Sequence, residues 1–144
     1  MGLANDVMYR RESEAVHHKE SELESHSAPA TLGERVLRFF GKNPTEKEIQ
    51  LAGSVVHWSF GISNGIVYAM LQPRLPIVRA GFGLPFGLAL YAFHLAAPPA
   101  FRLSPPSWKF PLQTALRGFV YHVVYATTLD VSYRGITHLF DGTE

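Results

Sequence analysis

Three long apolar stretches dominate the hydropathy pattern of the chain, and they lie at about residues 49–71, 77–97 and 112–131. The first has 23 residues. As a helix it would measure about 34 Å, which exceeds the ~30 Å hydrocarbon core of a bilayer. The pattern therefore predicts an all-α integral membrane protein, a bundle of three transmembrane helices.

The connections between these stretches contain helix-breaking residues. Residues 72–76 read QPRLP, and Pro98-Pro99 follows the second stretch. Proline lacks the backbone donor and clashes with the preceding turn, so we expect helices to end at these positions. The second connection also contains Trp108, the kind of side chain that anchors a loop at a membrane surface.

Polar segments flank the apolar region on both sides. Residues 1–30 are mixed in charge and include a His17-His18 pair. They cannot bury enough apolar surface to fold alone, which predicts a flexible cytoplasmic tail. Residues 132–144 are predicted to form a short C-terminal tail.

An amphipathic pattern precedes the first span. Residues 31–48 predict a short helix in the membrane interface followed by a turn, because apolar and charged side chains segregate onto different faces. Thr31 is the expected N-cap of this helix and Gly41 its expected end. Thr45, with Glu48 three residues later, is expected to cap the first span.

Charge strengthens the membrane interpretation. No Asp or Glu occurs from Ile49 to Leu129, although the chain has 12 acidic residues in total. A soluble domain needs solvated polar faces, so such a stretch is typical of membrane-embedded segments. The net charge of +1 argues against a nucleic-acid partner, and the absence of Cys excludes disulfides and thiolate chemistry.

Basic residues predict the orientation of the spans, because Lys and Arg accumulate in short cytoplasmic loops. Seven lie on the N-terminal side: Arg35, Arg38, Lys42, Lys47, Arg102, Lys109 and Arg117. Three lie on the opposite side: Arg74, Arg79 and Arg134. We therefore predict a multi-pass protein of the bacterial inner membrane, with its N-terminus cytoplasmic and its C-terminus outside.

Each predicted span contains one histidine, and these are His57, His94 and His122. Ionisable residues inside a membrane are costly, so they are candidates for function. Small residues share their helix faces and predict close helix packing with the histidines turned inward. The predicted packing residues are Gly53, Gly61, Gly65, Gly83, Gly87 and Gly118.

The histidines have three interpretations, and the sequence leaves them open. They could form hydrogen bonds between helices, bind a haem or chlorophyll-type pigment axially, or line a proton or transport path. Counting about 1.5 Å per residue places His94 about two turns shallower than His122, so His57 and His122 form the easier pair. No metal site is predicted, and zinc hydrolysis is not expected because the apolar region offers no carboxylate.

Short motifs across residues 29–125 resemble the YagU-like family of small, uncharacterised bacterial inner-membrane proteins. The motifs are Glu34-Arg35-Val36, Val56-His57-Trp58-x-Phe60-Gly61, Gly65-x-x-Tyr68, Phe86-Gly87-x-Ala89-x-Tyr91-x-x-His94, Pro98-Pro99 and Pro105-Pro106. The resemblance implies a helical inner-membrane protein and supplies no activity. Members of that family usually have an additional hydrophobic segment near the N-terminus, where this chain has polar residues.

These features favour a non-catalytic accessory or structural subunit of a larger bacterial membrane complex, with an energy-transducing (respiratory or photosynthetic) complex as the preferred class. The chain is short, it lacks acidic catalytic groups in its apolar region, and its polar tail could dock on another subunit. Expected partners are the lipid bilayer and other membrane subunits. The alternatives are a small oligomeric channel or transporter that uses the histidines, and a haem- or pigment-binding membrane protein.

Overall fold

The computed structural model describes the backbone of residues 14–141 and the side chains of residues 14–139. All regular structure in this part of the chain is helical, which confirms the all-α prediction. The helices are α1 (Glu14–Leu23), α2 (Ala28–Phe39), α3 (Glu46–Leu71), α4 (Ala80–Ala100) and α5 (Leu112–Asp141). Short 3₁₀ turns lie at Pro76–Arg79 and Ser107–Lys109.

The bundle of three long helices has two ends, and each is named here after the connection that it contains. The turn end contains residues 72–79, between α3 and α4, and the loop end contains residues 101–111, between α4 and α5. Helix α5 runs parallel to α3. Tyr125 contacts Gly61, and Asp130 contacts Tyr68 further toward the C-terminal end of both helices. Helix α4 returns antiparallel beside α5.

Glycines permit the close approach of α4 and α5. A Cβ atom added at Gly83 would lie 2.8 Å from the carbonyl oxygen of Ala126. One added at Gly87 would lie 3.0 Å from both the Ala126 Cβ and the His122 carbonyl oxygen. These helix backbones therefore touch at a distance that a side chain at either glycine would prevent.

The second predicted span is broken near its start. Gly81, Phe82 and Gly83 have left-handed φ angles of 53°, 58° and 81°, so the chain bends there. Glycine adopts this conformation without a Cβ penalty, and Pro85 then lies in the first turn of the continuing helix, where its missing N–H is not needed.

The same span also extends past the prolines expected to stop it. Helix α4 continues through Pro98 and Pro99 to Ala100. Proline at residue 99 cannot donate to the carbonyl of Leu95, but the Ser107 hydroxyl donates to that carbonyl at 3.0 Å. A loop side chain thus replaces the backbone bond that the proline removes.

The expected ends around α2 and α3 are partly confirmed. Gly41 has a φ of 76° and ends α2, and the Thr45 N–H donates to Glu48 at 2.8 Å in the predicted capping box. Helix α2 begins earlier than predicted, at Ala28 rather than Thr31. Its first turn tolerates Pro29, which is a favourable residue at that position.

The sequence predicts a flexible polar tail through residue 30, whereas the structure has helices within this segment. Residues 14–23 form α1, and its Glu20 carboxylate contacts Arg117 of α5 at 2.7 Å. A partner on another helix thus supplies the stabilisation that the composition of this segment lacks. Residues 1–13 and 142–144 of the predicted tails lie outside the described residues.

One helix within residues 14–141, covering Pro76–Ala100, is long and apolar enough to cross a membrane by length and composition. Helices α3 and α5 have 26 and 30 residues. Polar residues such as Asn64 and Arg117 lower their mean hydropathy. The structure therefore shows one candidate span, fewer than the three that the pattern predicts.

Candidate functional site

The structure brings two of the three candidate histidines together. The rings of His94 on α4 and His122 on α5 have centroids 5.0 Å apart, near the loop end. His57 lies on α3, where its side chain is exposed. The pair therefore differs from the one that the sequence-based depths favour, which joins His57 to His122.

The direction of helical side chains explains why these histidines meet. Side chains lean toward the N-terminus of their own helix. Because α4 and α5 are antiparallel, the His94 and His122 side chains lean toward each other along the common axis. Counting residues from the membrane edge locates only the Cα atoms, so it overestimates the separation of the rings.

A hydrogen bond fixes the tautomer of His122. Its Nδ1 lies 2.7 Å from the carbonyl oxygen of Gly118, one turn earlier on α5. A carbonyl only accepts hydrogen bonds, so Nδ1 holds the proton and Nε2 of the neutral ring has its lone pair free. Tyr91 packs beside this ring at 5.6 Å between centroids, while its hydroxyl donates to the Ala115 carbonyl at 2.8 Å.

A second polar cluster, which the sequence analysis does not anticipate, lies toward the turn end. Asp130 is fully buried, with 0% of its surface exposed. The Tyr68 hydroxyl donates to its Oδ1 at 2.5 Å, and Arg134 Nε donates to its Oδ2 at 2.6 Å. Arg134 also donates to the Arg79 carbonyl at 3.3 Å, which connects the cluster to the turn between α3 and α4.

The boundary of the third predicted span concealed this cluster. That span ends at residue 131, and the following residues are assigned to a polar tail, which separates Asp130 from Arg134. Helix α5 instead continues to Asp141. An acid and an arginine four residues apart, at the end of a long acid-free region, were the available signal, because this spacing pairs side chains on a helix. The prediction that the apolar region offers no carboxylate is wrong at the end of the third predicted span, where Asp130 is buried.

An ion pair and charge-assisted hydrogen bonds hold α1 and α2 at the loop end. Glu20 accepts hydrogen bonds from Thr114 and Arg117 of α5, and the Glu20 and Arg117 side chains are only 16% and 12% exposed. Arg35 of α2 donates to the carbonyls of Phe101 and Arg102, where the chain leaves α4. The two short helices are thus anchored to the connection between α4 and α5.

A further contact joins the start of α2 to the start of α3. His26 Nε2 lies 2.9 Å from Glu46 Oε2. The hydrogen bond that the His26 ring donates to the Glu46 carboxylate raises the pKa of His26 above its ordinary value. Hydrogen bonds from Gln50 and His26 lower the pKa of Glu46.

An open pocket of about 450 Å³ lies beside these contacts. Its lining includes Glu24, His26, Arg102 and Ser104. Burial raises the pKa of the Glu24 carboxyl, and the Ser104 hydroxyl acts in the opposite direction. The pocket offers mixed charge on an open surface and contains neither of the two polar clusters.

The two clusters have different chemical capacities. Each carboxylate oxygen of Asp130 has a donor, and the donor from Tyr68 joins α3 to α5. The His94–His122 pair presents a free imidazole lone pair on a partly exposed surface and can bind a ligand. Within the described residues, His, Cys, Asp and Glu form no group of three or more that could hold a metal ion.

Comparison with known proteins defines the family of this chain. The model of the family described as "Protein of unknown function (DUF1440)" matches residues 37–131, and the chain belongs to that family. The matched range contains His57, His94, His122 and Asp130, whereas α1 and Arg134 lie outside it. No curated protein and no solved structure matches the chain. The family shown is thus an uncharacterised one, and the YagU-like name is not part of that finding.

Proposed function

We propose that the chain spans the bacterial inner membrane three times, with its loop end cytoplasmic, as a non-catalytic accessory subunit of a larger membrane complex. The observation that supports a membrane location best is the exposed apolar surface of all three long helices. Trp58 is 70% exposed, Phe93 58% and Leu116 54%. In contrast, the buried cluster between the long helices consists of Tyr68, Phe86 and Ala126, with partly buried neighbours around it. A protein in water rarely exposes so many large apolar side chains along its helices.

Hydrogen bonds within each helix support spanning by α3 and α5 despite their polar residues. The Ser59 hydroxyl donates to the Val55 carbonyl and the Asn64 amide to the Phe60 carbonyl, both at 2.8 Å. The Thr128 hydroxyl of α5 does the same with a carbonyl one turn earlier. A polar group bonded to its own helix costs less in a lipid environment than its hydropathy value implies.

The polar contacts between helices support a structural role. Tyr125 donates to the Gly61 carbonyl at 2.5 Å, and Tyr91 donates to the Ala115 carbonyl at 2.8 Å. These tyrosine hydroxyls form hydrogen bonds between helices, so they stabilise the packing and are not available for chemistry.

An open face of α3 supports association with another subunit. A Cβ atom added at Gly61 would meet no atom within 4 Å, although this glycine lies on the small-residue face that predicted close packing. His57 and Trp58 are exposed on the same helix. Small residues in membrane helices permit the close approach of a second helix, so this face suits a helix of another subunit.

The native mass of the complex tests the proposed role. A tagged chain is solubilised gently from its own host membranes and its particle mass is measured. We expect a particle much larger than small multiples of 16.0 kDa, with other membrane polypeptides in fixed ratio. A homogeneous oligomer of this chain alone would contradict the accessory role and favour the channel or transporter alternative.

Cysteine labelling tests the three-span topology, because the chain has no native Cys. Leu75→Cys at the turn end and Lys109→Cys at the loop end are treated with a membrane-impermeant maleimide in intact cells. We expect labelling of the first alone, and labelling of the second only after the membrane is opened. Leu88→Cys in mid-helix is the unlabelled control, and equal labelling of both ends in intact cells would refute the topology.

The distance between His94 and His122 restricts how the chain could bind a haem or pigment. Two axial ligands lie on opposite faces of a haem, and rings 5.0 Å apart leave no room for a macrocycle between them. A haem or pigment would therefore use one histidine. A visible absorption spectrum of the protein purified from its host tests this alternative, and a featureless spectrum removes it.

A further inference from the structure

We propose that His94 and His122 together ligate a transition-metal ion at the loop end of the α4–α5 pair. The two imidazoles come from different helices and lie beside each other on a partly exposed surface. Imidazole nitrogen is a favourable ligand for zinc, copper and nickel. The proposed site is independent of the accessory-subunit proposal, because it depends only on the α4–α5 contact within one chain.

The distance between the rings fits two ligands of one ion. Zinc–nitrogen bonds are about 2.0–2.1 Å long, so two imidazoles bound to a tetrahedral ion have centroids about 5 Å apart. The observed separation is 5.0 Å, with an angle of 43° between the ring planes. The rings are thus neither stacked face to face nor too far apart for one ion.

The hydrogen bond of His122 prepares its second nitrogen for a metal. Metal-binding histidines usually donate their other N–H to a carbonyl or carboxylate, which fixes the ring orientation. The His122 Nδ1–H already does this with the Gly118 carbonyl at 2.7 Å. Within the described residues no hydrogen bond joins the His94 and His122 rings, so the pair is not closed on itself.

The backbone contacts of α4 and α5 preorganise the pair. Gly87 of α4 lies against the carbonyl of His122, which fixes the register of the two helices. Tyr91 packs against the His122 ring and bonds to Ala115, so it limits ring movement on one side. A ligand pair held by such packing loses little conformational entropy when an ion binds.

The pair lies near the loop end of α4, where water at the membrane surface can supply further ligands. His94 is exposed and lies six residues, about 9 Å, before the end of α4. Two neutral imidazoles leave the charge of the ion uncompensated, and residues 49–129 have no carboxylate. Water or a small anion would therefore complete the coordination. Cu⁺ has the lower charge to accommodate, so Zn²⁺ and Cu⁺ are the two probes of choice.

Metal titration of the full chain tests the site. The protein has a histidine-free tag and is placed in phosphatidylcholine nanodiscs, and binding of Zn²⁺, and separately of Cu⁺ under reducing conditions, is measured by calorimetry. We expect one bound equivalent to weaken at least about 10-fold in His94→Gln and in His122→Gln. His57→Gln is the matched control, because this histidine is exposed on α3 and should leave that equivalent unchanged.

The histidines of the N-terminal region are present in every variant, so differences between variants report the α4–α5 pair alone. His94→Cys is the rescue variant, because a thiolate replaces imidazole as a zinc or copper ligand. We expect it to restore the bound equivalent that His94→Gln loses. Equal binding of both ions by the wild type and by the His94→Gln/His122→Gln double variant would overturn the proposal. So would loss of stability in these variants without any loss of binding.

Discussion

The two polar clusters that involve α5 differ in whether their polar groups have hydrogen-bonding partners. Toward the turn end, Asp130 is fully buried and both of its carboxylate oxygens have donors. Toward the loop end, the His94–His122 pair is partly exposed and has a free imidazole lone pair. Helix α5 contributes to both. We call the Asp130 cluster closed, because both carboxylate oxygens have donors, and the His94–His122 pair open, because it has a free lone pair.

This difference separates stability from binding. A buried network with all its members satisfied makes one arrangement of helices preferable, and removing a member leaves the others without partners. An open pair leaves its helices in place when a member is lost, because glycine packing holds the backbones. Variants of the closed cluster should therefore unfold more easily, whereas variants of the open pair should change ligand binding.

The largest expected effect comes from Arg134→Gln. This change leaves the buried Asp130 carboxylate with one donor, the Tyr68 hydroxyl. The Arg134 side chain is 45% exposed, but the Asp130 carboxylate is fully buried. Removing a donor from a buried charged acceptor costs about 3 kcal/mol of unfolding free energy. The measurement is reversible unfolding in mixed detergent micelles, with Arg74→Gln at the exposed turn as the matched control. Equal stability of the two variants would show that the cluster does not hold the helices together.

Gly83→Ala should have the next largest effect. The added Cβ would lie 2.8 Å from the Ala126 carbonyl oxygen, and the φ of 81° is unfavourable for any other residue. Overpacking of this kind costs about 2 kcal/mol. Gly61→Ala is the control, because its Cβ has open space and alanine stabilises a helix interior by about 0.5–1 kcal/mol. If both variants lose the same stability, the close approach of α4 and α5 is not what fixes their register.

Glu20→Gln should release α1 with a smaller effect on the whole molecule. The carboxylate contacts Arg117 in a poorly exposed position, and charge-assisted hydrogen bonds of this kind contribute about 1.5–3 kcal/mol. Hydrogen exchange should become faster in residues 14–23 while exchange in α4 and α5 stays slow. Glu22→Gln on the same helix is the control, because its side chain is 63% exposed beside His18. Equally fast exchange in both variants would refute an anchoring role for Glu20.

Local patterns predicted local features well. The end of α2 at Gly41 and the capping box of Thr45 and Glu48 follow from backbone requirements that a short sequence expresses. The pairing of His94 with His122 could not be predicted in the same way. It depends on the antiparallel register of two helices, which Gly83 and Gly87 set through contacts more than 30 residues away in sequence.

Asp130 shows a second limit of sequence analysis. A hydropathy pattern divides the chain into apolar spans and polar connections, so an acid at the margin is assigned to the outside. Burial of Asp130 requires Tyr68 from α3, and nothing in the spacing of one helix identifies a partner on another. The same reasoning applies to α1, whose helix depends on contacts with α5 that its own composition does not reveal.

The smallest expected effect is a pH dependence at the loop end. The pKa of His26 is raised, so its contact with Glu46 gives its full stabilisation when the pH is below the ordinary pKa of histidine. This stabilisation is lost as the pH rises through the higher pKa of the folded state. The lowered pKa of Glu46 means that its contribution is present above the ordinary carboxyl value and is lost as pH falls through the lower folded value. The contact is therefore strongest between these two ordinary values, about pH 4.3 and 6.5.

Hydrogen exchange at the start of α3 measures this dependence. After correction for the intrinsic effect of pH on exchange, opening should increase modestly as pH rises above about 7, since the contact is at the surface and screened by solvent. Both His26→Asn and Glu46→Gln should remove the increase. His18→Asn should preserve it, because His18 contacts Glu22 on α1 instead. An unchanged profile in His26→Asn would mean that the pH response of the loop end comes from another group, and it would leave the closed cluster at Asp130 unaffected.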